Sequence, residues 1–99
     1  MRCANALTIL GARRSVKRFA EDEAWQQMLG ARYVEWLVLS PGRHHCQFIT
    51  RKHPAEPWRE VSRRYPSLTF LLDYEIERMR LRGLIKAKAG EVTCCEINH

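Results

Sequence analysis

The sequence predicts an α+β domain in which two helices cover one face of an antiparallel sheet. Three observations predict it: runs of alternating apolar residues that are typical of strands, two segments with apolar residues at helical spacing, and turn residues between them. The predicted order is β-α-β-β-α-β with one or two extra strands at the C-terminal end, and this is the ferredoxin-like order. The 99 residues fit one domain spanning 1–99, because two halves would each be too small to bury a core.

The first strand and first helix follow from simple patterns. Residues 5–10 form a short apolar run that ends at Gly11, which predicts a strand followed by a turn. Residues 15–29 carry apolar side chains at the helical period and predict one helix. Ser15 is a suitable N-cap, and Gly30 is a suitable residue after the helix end.

A hairpin is predicted next. Residues 33–40 and 44–51 are rich in β-branched and aromatic side chains, which favour strands. Pro41-Gly42 between them is a turn signal, so the two strands are expected to pair with each other.

The second helix and the last strands complete the order. Trp58, Val61, Ser62 and Tyr65 follow the helical period after Pro57, which predicts a helix that ends at Pro66. Three further segments then alternate or are rich in β-forming residues and predict strands: 68–75, 79–89 and 91–97. The uncovered face of the resulting sheet is expected to meet water or a partner.

Composition restricts the classes of function. Lys and Arg number 17 against 11 Asp and Glu, and the net charge of +6 favours contact with nucleic acid or an acidic protein surface. No apolar run is long enough for a membrane span, and the first residues lack a signal-peptide core, so a cytoplasmic protein without membrane contact is expected. The four cysteines are therefore expected as reduced thiols.

Basic residues in the predicted fifth strand are the first candidate contact surface. Arg80, Arg82, Lys86 and Lys88 fall on one face, about 7 Å apart where they alternate, and this spacing suits successive phosphates or carboxylates. The alternative is internal pairing, because Asp73 and Glu75 on the preceding strand are expected to face the same way.

The second candidate surface is the predicted second helix. Arg59, Arg63 and Arg64 lie off its apolar stripe, either as contact residues or as an ordinary solvated face. The first helix is expected to be a poor anion site, because Lys17–Glu21 and Arg18–Asp22 are spaced to form ion pairs four residues apart.

Metal binding and catalysis have little support in the sequence. Two groups contain potential ligands, namely His44, His45, Cys46 and His53, and Cys94, Cys95 and His99, but neither has paired ligand spacing. Cys46 with His45 and Cys95 with His99 are the thiol–imidazole pairs to consider, and no nucleophile elbow, phosphate loop or paired-carboxylate motif supports them. We expect no metal, no cofactor, no catalytic residue and no enzymatic activity.

Two groups of residues resemble a known family. Cys3-x-Asn5-x-Leu7-Thr8-Ile9-x-Gly11 is similar to the opening motif of the YubB-like (Api-type) ferredoxin-like proteins of phages and plasmids. A second stretch, in the same order as in that family, comprises Phe48, Thr50, Pro54, Pro57, Trp58, Ser62, Tyr65, Pro66, Leu68, Phe70, Tyr74, Glu75 and Gly83. The usual Trp-Gly-x-Lys-Trp segment is missing here, where Trp36 is the one tryptophan of the middle region. The resemblance implies the fold and an origin in a mobile element, and it supplies no catalytic residues.

These observations lead to one main functional hypothesis. We expect a non-enzymatic binding protein in the cytoplasm of a bacterial host, inhibiting or modulating a host protein or nucleoprotein defence complex through its basic surface, as anti-CRISPR proteins do. A direct binder of single-stranded nucleic acid is the alternative. A structural homodimer that pairs through an exposed edge strand is the third possibility, so the protein is expected to be a monomer or a homodimer.

Overall fold

A computed structural model describes residues 2–53 and 55–99. It confirms the α+β class and the antiparallel sheet, with three helices instead of two. In chain order the elements are β1 (Cys3–Leu10), α1 (Arg13–Glu21), α2 (Ala24–Leu29), β2 (Arg32–Ser40), β3 (Arg43–Thr50), α3 (Ala55–Arg64), β4 (Thr69–Ile76), a single 3-10 turn (Glu77–Met79), β5 (Leu81–Lys88) and β6 (Glu91–Asn98).

The sheet has six strands in the order β2-β3-β1-β4-β5-β6, and every neighbouring pair is antiparallel. The first strand lies in the middle, where Leu7 is opposite Cys46 of β3 on one side and Leu72 of β4 on the other. The two C-terminal strands extend the sheet beyond β4, so β2 and β6 form its two edges.

The predicted helix over residues 15–29 is wrong as a single element. The backbone of Asp22 is extended (φ −86°, ψ 121°) and separates α1 from α2. Its carboxylate accepts a hydrogen bond from the Ala24 N–H at 2.9 Å, and the Trp25 indole donates to the Phe19 carbonyl at 3.0 Å. Aspartate can satisfy nearby backbone groups in this way, and it competes with the helical hydrogen bonds. The predicted Gly30 terminus is confirmed, with the left-handed φ of 65°.

The core lies between one face of the sheet and the helices. Phe19, Trp25 and Trp58 pack as a group of aromatic rings with centroids 4.6 to 6.5 Å apart, and they cover the strand face that includes Phe48 and Phe70. The opposite face of the sheet carries no helix among the described residues. None of the described helices is long and apolar enough to cross a bilayer.

Residues of the family-like motifs lie mostly inside this core. Asn5 is only 4% exposed, and its amide donates to the Thr50 hydroxyl at 3.1 Å and to the Cys3 carbonyl at 3.1 Å. This amide links β1 to β3 at the end of the sheet where these strands pair Cys3 with Thr50. Pro54 of the second motif lies outside the described residues. The motif residues described here therefore have a structural role in joining the strands and helices.

Candidate functional site

The basic row of the fifth strand is shorter than predicted. Arg82, Lys86 and Lys88 are exposed and alternate along β5, as expected. Arg80 precedes the strand, because it ends the 3-10 turn in a left-handed conformation with φ 52°. The turn without a glycine therefore takes Arg80 out of the period-2 alternation, and only three of the four cations share the strand face.

Carboxylates on the neighbouring strands oppose this row. The Arg82 guanidinium lies 3.2 Å from the Asp73 carboxylate, and this hydrogen bond and charge raise the pKa of Arg82. Glu75 is the direct cross-strand neighbour of Arg82, and Glu91 is that of Lys88. Three carboxylates therefore lie beside three cations, so the formal charge of this patch is close to zero.

Apolar side chains also interrupt the row. Leu84 follows Arg82 on the same face and is 61% exposed, and Leu71 lies opposite Lys86. A shallow groove of ≈ 570 Å³ extends here from β1 to β6, and Ala6 and Thr8 are among the residues that line it. The open face thus mixes apolar, acidic and basic groups, and it does not provide a continuous track of cations for a phosphate backbone.

The three arginines of α3 are all exposed at the helix surface. Arg63 and Arg64 share one carboxylate, that of Glu60, at 3.9 and 3.5 Å. Exposed pairs of this kind contribute only about 0–1 kcal/mol, so they leave both guanidinium groups able to exchange partners. Arg59 has no ion pair within the described residues.

The Arg63 side chain packs closely against Gly90. A Cβ added at Gly90 would lie 2.8 Å from the Arg63 Cγ, so the arginine stem packs directly over the turn between β5 and β6. The Gly90 N–H donates to the buried Ser62 hydroxyl at 2.9 Å, which ties that turn to α3.

The two ion pairs expected within the first helix are not observed among the described residues. Neither Lys17–Glu21 nor Arg18–Asp22 forms an ion pair in the described part of the chain. Asp22 is instead engaged by the Tyr65 hydroxyl and the Ala24 N–H, and these hydrogen bonds lower the pKa of Asp22. Four exposed cations therefore remain on α1 without a carboxylate partner within these residues: Arg13, Arg14, Lys17 and Arg18.

Tyr65, the residue after α3, connects that helix to α1. Its ring meets Phe19 edge-on with centroids 5.1 Å apart, and its hydroxyl donates to Asp22. Burial and the Asp22 hydrogen bond raise the pKa of Tyr65 to about 12, against the opposing charges of Arg18 and Arg64. We name the outer surface of these two helices the helical face, defined by Arg13, Arg14, Lys17, Arg18, Arg59, Arg63 and Arg64. Sequence reasoning missed the α1 part because it assumed the ion pairs Lys17–Glu21 and Arg18–Asp22, and neither forms within the described residues.

The considered thiol–imidazole pairs do not form a reactive site. Cys46 is buried on the helix-covered side, and burial raises the pKa of its thiol to about 12, whereas the His45 ring bonds Thr8 at 3.3 Å on the opposite side. The His99 ring lies 3.9 Å from Glu75 rather than beside the Cys95 thiol. All four cysteines are free thiols. The described residues hold no cluster of three or more potential metal ligands.

A polar group at the end of the sheet was not predicted. The Tyr74 hydroxyl contacts Glu96 at 2.5 Å, the His53 ring at 3.0 Å and the Cys94 thiol at 3.4 Å, and the His53 ring also contacts Glu96. The hydrogen bonds from Tyr74 and His53 lower the pKa of Glu96. This group fastens β6 to β4 and to the segment before α3. It brings together residues from distant parts of the chain, so no local motif signals it.

Comparison with known proteins gives one structural likeness. No family model matches the chain, and no curated protein matches it. The fold is similar to that of a solved structure, protein api92 from Yersinia pseudotuberculosis, described with the family model DUF1281, with a TM-score of 0.60 and 15% identity. The match covers 78% of this chain but only 30% of that chain. At 15% identity the likeness shows the fold alone. As far as the fold is concerned, it supports the resemblance to Api-type proteins.

Proposed function

We propose that this chain is a non-enzymatic binding protein that docks on an anionic partner through the helical face. The observation that carries the proposal is the set of four exposed α1 cations that have no carboxylate partner in the described residues. Arg13 and Arg14 lie in the first turn, where the positive end of the helix dipole makes cations unfavourable. Residues that oppose a local stability rule without an internal compensation are typical of functional surfaces.

The partner class we propose is a host nucleoprotein complex, as in inhibition of a CRISPR-type defence complex by a protein of phage or plasmid origin. Such a complex offers phosphates together with acidic protein surface, and seven exposed cations on two helices fit either chemistry. In the same proposal the fold is ferredoxin-like. Its support is the position of β3 between β1 and β2, which makes the first β-α-β unit a split one.

Direct binding of single-stranded nucleic acid through the open sheet face is less well supported. Stacking of bases needs exposed aromatic rings, and Tyr33 is the one largely exposed aromatic side chain of the described residues. Phe48, Phe70 and Tyr74 instead pack under the helices. The balanced charges around Arg82 weaken the backbone contribution as well.

Affinity capture tests the proposal. Tagged protein is incubated with bacterial lysate carrying the candidate defence complex, with and without nuclease, in parallel with an Arg14→Glu/Lys17→Glu/Arg18→Glu variant. We expect stoichiometric capture by the native chain that survives nuclease, and loss of capture by the variant. Equal capture by both proteins contradicts the helical face as the contact surface. Capture that nuclease abolishes completely indicates a plain nucleic-acid binder instead.

A further inference from the structure

The two edges of the sheet differ in how they are protected. β2 shows register shifts against β3 between Arg32 and Glu35 and between Val38 and Ser40, and Tyr33 has a φ of 56°. Such irregularities bend an edge strand and discourage pairing with another chain. β6 pairs with β5 in unbroken register over all eight of its residues. It contains no proline and no lysine, the residues that usually block an open edge.

The backbone groups that β6 presents outward can be assigned from its register. The His99 N–H donates to the Arg80 carbonyl at 2.9 Å, and these two residues continue the β5–β6 register. In an antiparallel ladder hydrogen-bonded residues alternate, so residues 91, 93, 95 and 97 direct their N–H and C=O groups to β5. Residues 92, 94, 96 and 98 direct theirs away from the sheet, where no described residue pairs with them.

We propose that β6 pairs antiparallel with β6 of a second copy, about a two-fold axis that passes through Cys95, to make one continuous sheet. A two-fold axis perpendicular to the sheet keeps the helices of both copies on the same side, and it requires opposed residues to share a face. With Cys95 on the axis, Thr93 lies opposite the partner's Ile97, and Glu91 lies opposite the partner's His99. The first is a favourable β-branched pair, and the second places a carboxylate opposite an imidazole ring that can donate a hydrogen bond to it.

Neighbouring registers are less favourable. Centring the axis on Cys94 places Ile97 opposite the partner's Glu91 and Val92 opposite the partner's Glu96, so both apolar residues of the strand meet carboxylates. Centring it on Glu96 places two carboxylates directly opposite each other, which is destabilising. The Cys95-centred register also exchanges backbone hydrogen bonds between residues 94 and 96, which are outward-facing positions in both copies.

The charge distribution favours this edge over the rest of the surface. The chain has a net charge of +6, but β6 contains Glu91 and Glu96 and neither lysine nor arginine. Like-charge repulsion between two copies therefore comes from cations on other elements, including Arg82, Lys86 and Lys88 of the adjacent β5, and salt screens it with a Debye length of about 8 Å at physiological ionic strength. Dimerisation is expected to strengthen with added salt, whereas anion binding by the helical face weakens. The two proposals can therefore fail independently.

Sedimentation of the native chain over a range of concentrations, under reducing conditions, tests the dimer. We expect a monomer–dimer equilibrium that salt shifts toward the dimer. Cys95→Lys places two ammonium groups beside each other at the axis and is expected to give a monomer with unchanged circular dichroism. Cys95→Ser is the conservative variant and should retain the dimer. Leu37→Lys, at an exposed position on the other edge, makes the same change in net charge; it is the matched control and should dimerise like the native chain.

Oxidative cross-linking tests the register. With diamide as the oxidant, two facing thiols each lose a proton and together transfer two electrons, and a disulfide forms. Opposed residues of a non-hydrogen-bonded pair lie about 4.5 Å apart at Cα, within the range a disulfide needs. We expect a covalent dimer through Cys95 that Cys94→Ser retains and Cys95→Ser loses. A monomer at all soluble concentrations, a dimer that survives Cys95→Lys, or cross-linking through Cys94 overturns the proposal.

Discussion

Gly83 of β5 lies directly beneath the ring of Tyr74 on the neighbouring strand. A Cβ added at Gly83 would come within 2.6 Å of the Tyr74 Cε1, and also into contact with its Cζ and hydroxyl oxygen. The glycine therefore lets the ring cross β5 and bring its hydroxyl to Glu96 on β6 at 2.5 Å. The absence of a side chain at Gly83 of β5 thus allows the Tyr74 side chain of β4 to contact the edge strand β6.

Replacing this glycine should destabilise the fold. Gly83→Ala forces the Tyr74 ring to shift, and overpacking of this kind costs about 1–3 kcal/mol. The backbone of Gly83 is not in the left-handed region, so the cost is steric. Urea denaturation measures it. In a Tyr74→Leu background the same substitution should cost much less, and equal costs in both backgrounds would contradict the packing explanation.

Acid should weaken the fold through two carboxylates. The folded-state pKa values of Glu96 and Asp22 are both lowered, so their stabilisation is present above the unfolded pKa of about 4 and is lost as the pH falls through the folded pKa. Denaturation curves from pH 7 down to pH 3 should show the loss. Glu96→Gln and Asp22→Asn should each reduce the loss of stability with falling pH. The same pH dependence as in the native chain for both variants would contradict the role of these two carboxylates.

The buried hydroxyl of Ser62 should matter more than an exposed one. Ser62 accepts from the Gly90 N–H at 2.9 Å and donates to the Arg59 carbonyl at 3.1 Å. Ser62→Ala leaves the buried N–H without its partner and is expected to cost about 1–3 kcal/mol. Ser67→Ala, at an exposed position, is the control and should be nearly neutral. Faster amide exchange at Gly90 in the first variant would locate the effect at the β5–β6 turn.

Charge reversal at the start of α1 should separate stability from binding. Arg13→Glu/Arg14→Glu places carboxylates at the positive end of the helix dipole, where each contributes about 0.5 kcal/mol. The variant is expected to melt at a slightly higher temperature than the native chain and yet to lose its anionic partner. A lower melting temperature would mean that these arginines have a structural role that the described contacts do not show.

Periodicity was sufficient for the first four strands and for α3, where Trp58, Val61 and Ser62 follow the helical repeat. It failed at Asp22, because the side chain of this residue hydrogen-bonds the backbone and ends the helix although the helical spacing of apolar residues continues beyond it. It failed again at Arg80, where a left-handed turn residue removed one cation from the strand alternation. Both errors come from a local hydrogen bond or turn conformation, which the periodicity of apolar residues does not reveal.

The candidate site was harder to predict than the fold. Motif residues such as Asn5 and Gly83 are buried and connect neighbouring strands. The resemblance based on them therefore indicates the fold and gives no information about the partner. Asp73 and Glu75 were weighed against the row around Lys86 from the sequence, but Glu91, which β6 places opposite Lys88, was not included. Arg18 of α1 was underestimated because Asp22, its expected partner, is engaged by Tyr65, which lies 43 residues further along the chain.

Elution from an immobilised polyanion such as heparin tests the central claim most directly. Two variants with the same change in net charge are compared with the native chain: Arg14→Glu/Lys17→Glu on the helical face and Arg82→Glu/Lys86→Glu on the open sheet face. We predict that the helical-face variant elutes at much lower salt and that the sheet-face variant elutes close to the native chain. Equal shifts for the two variants, or a larger shift for the sheet-face variant, would contradict the assignment of binding to the helical face.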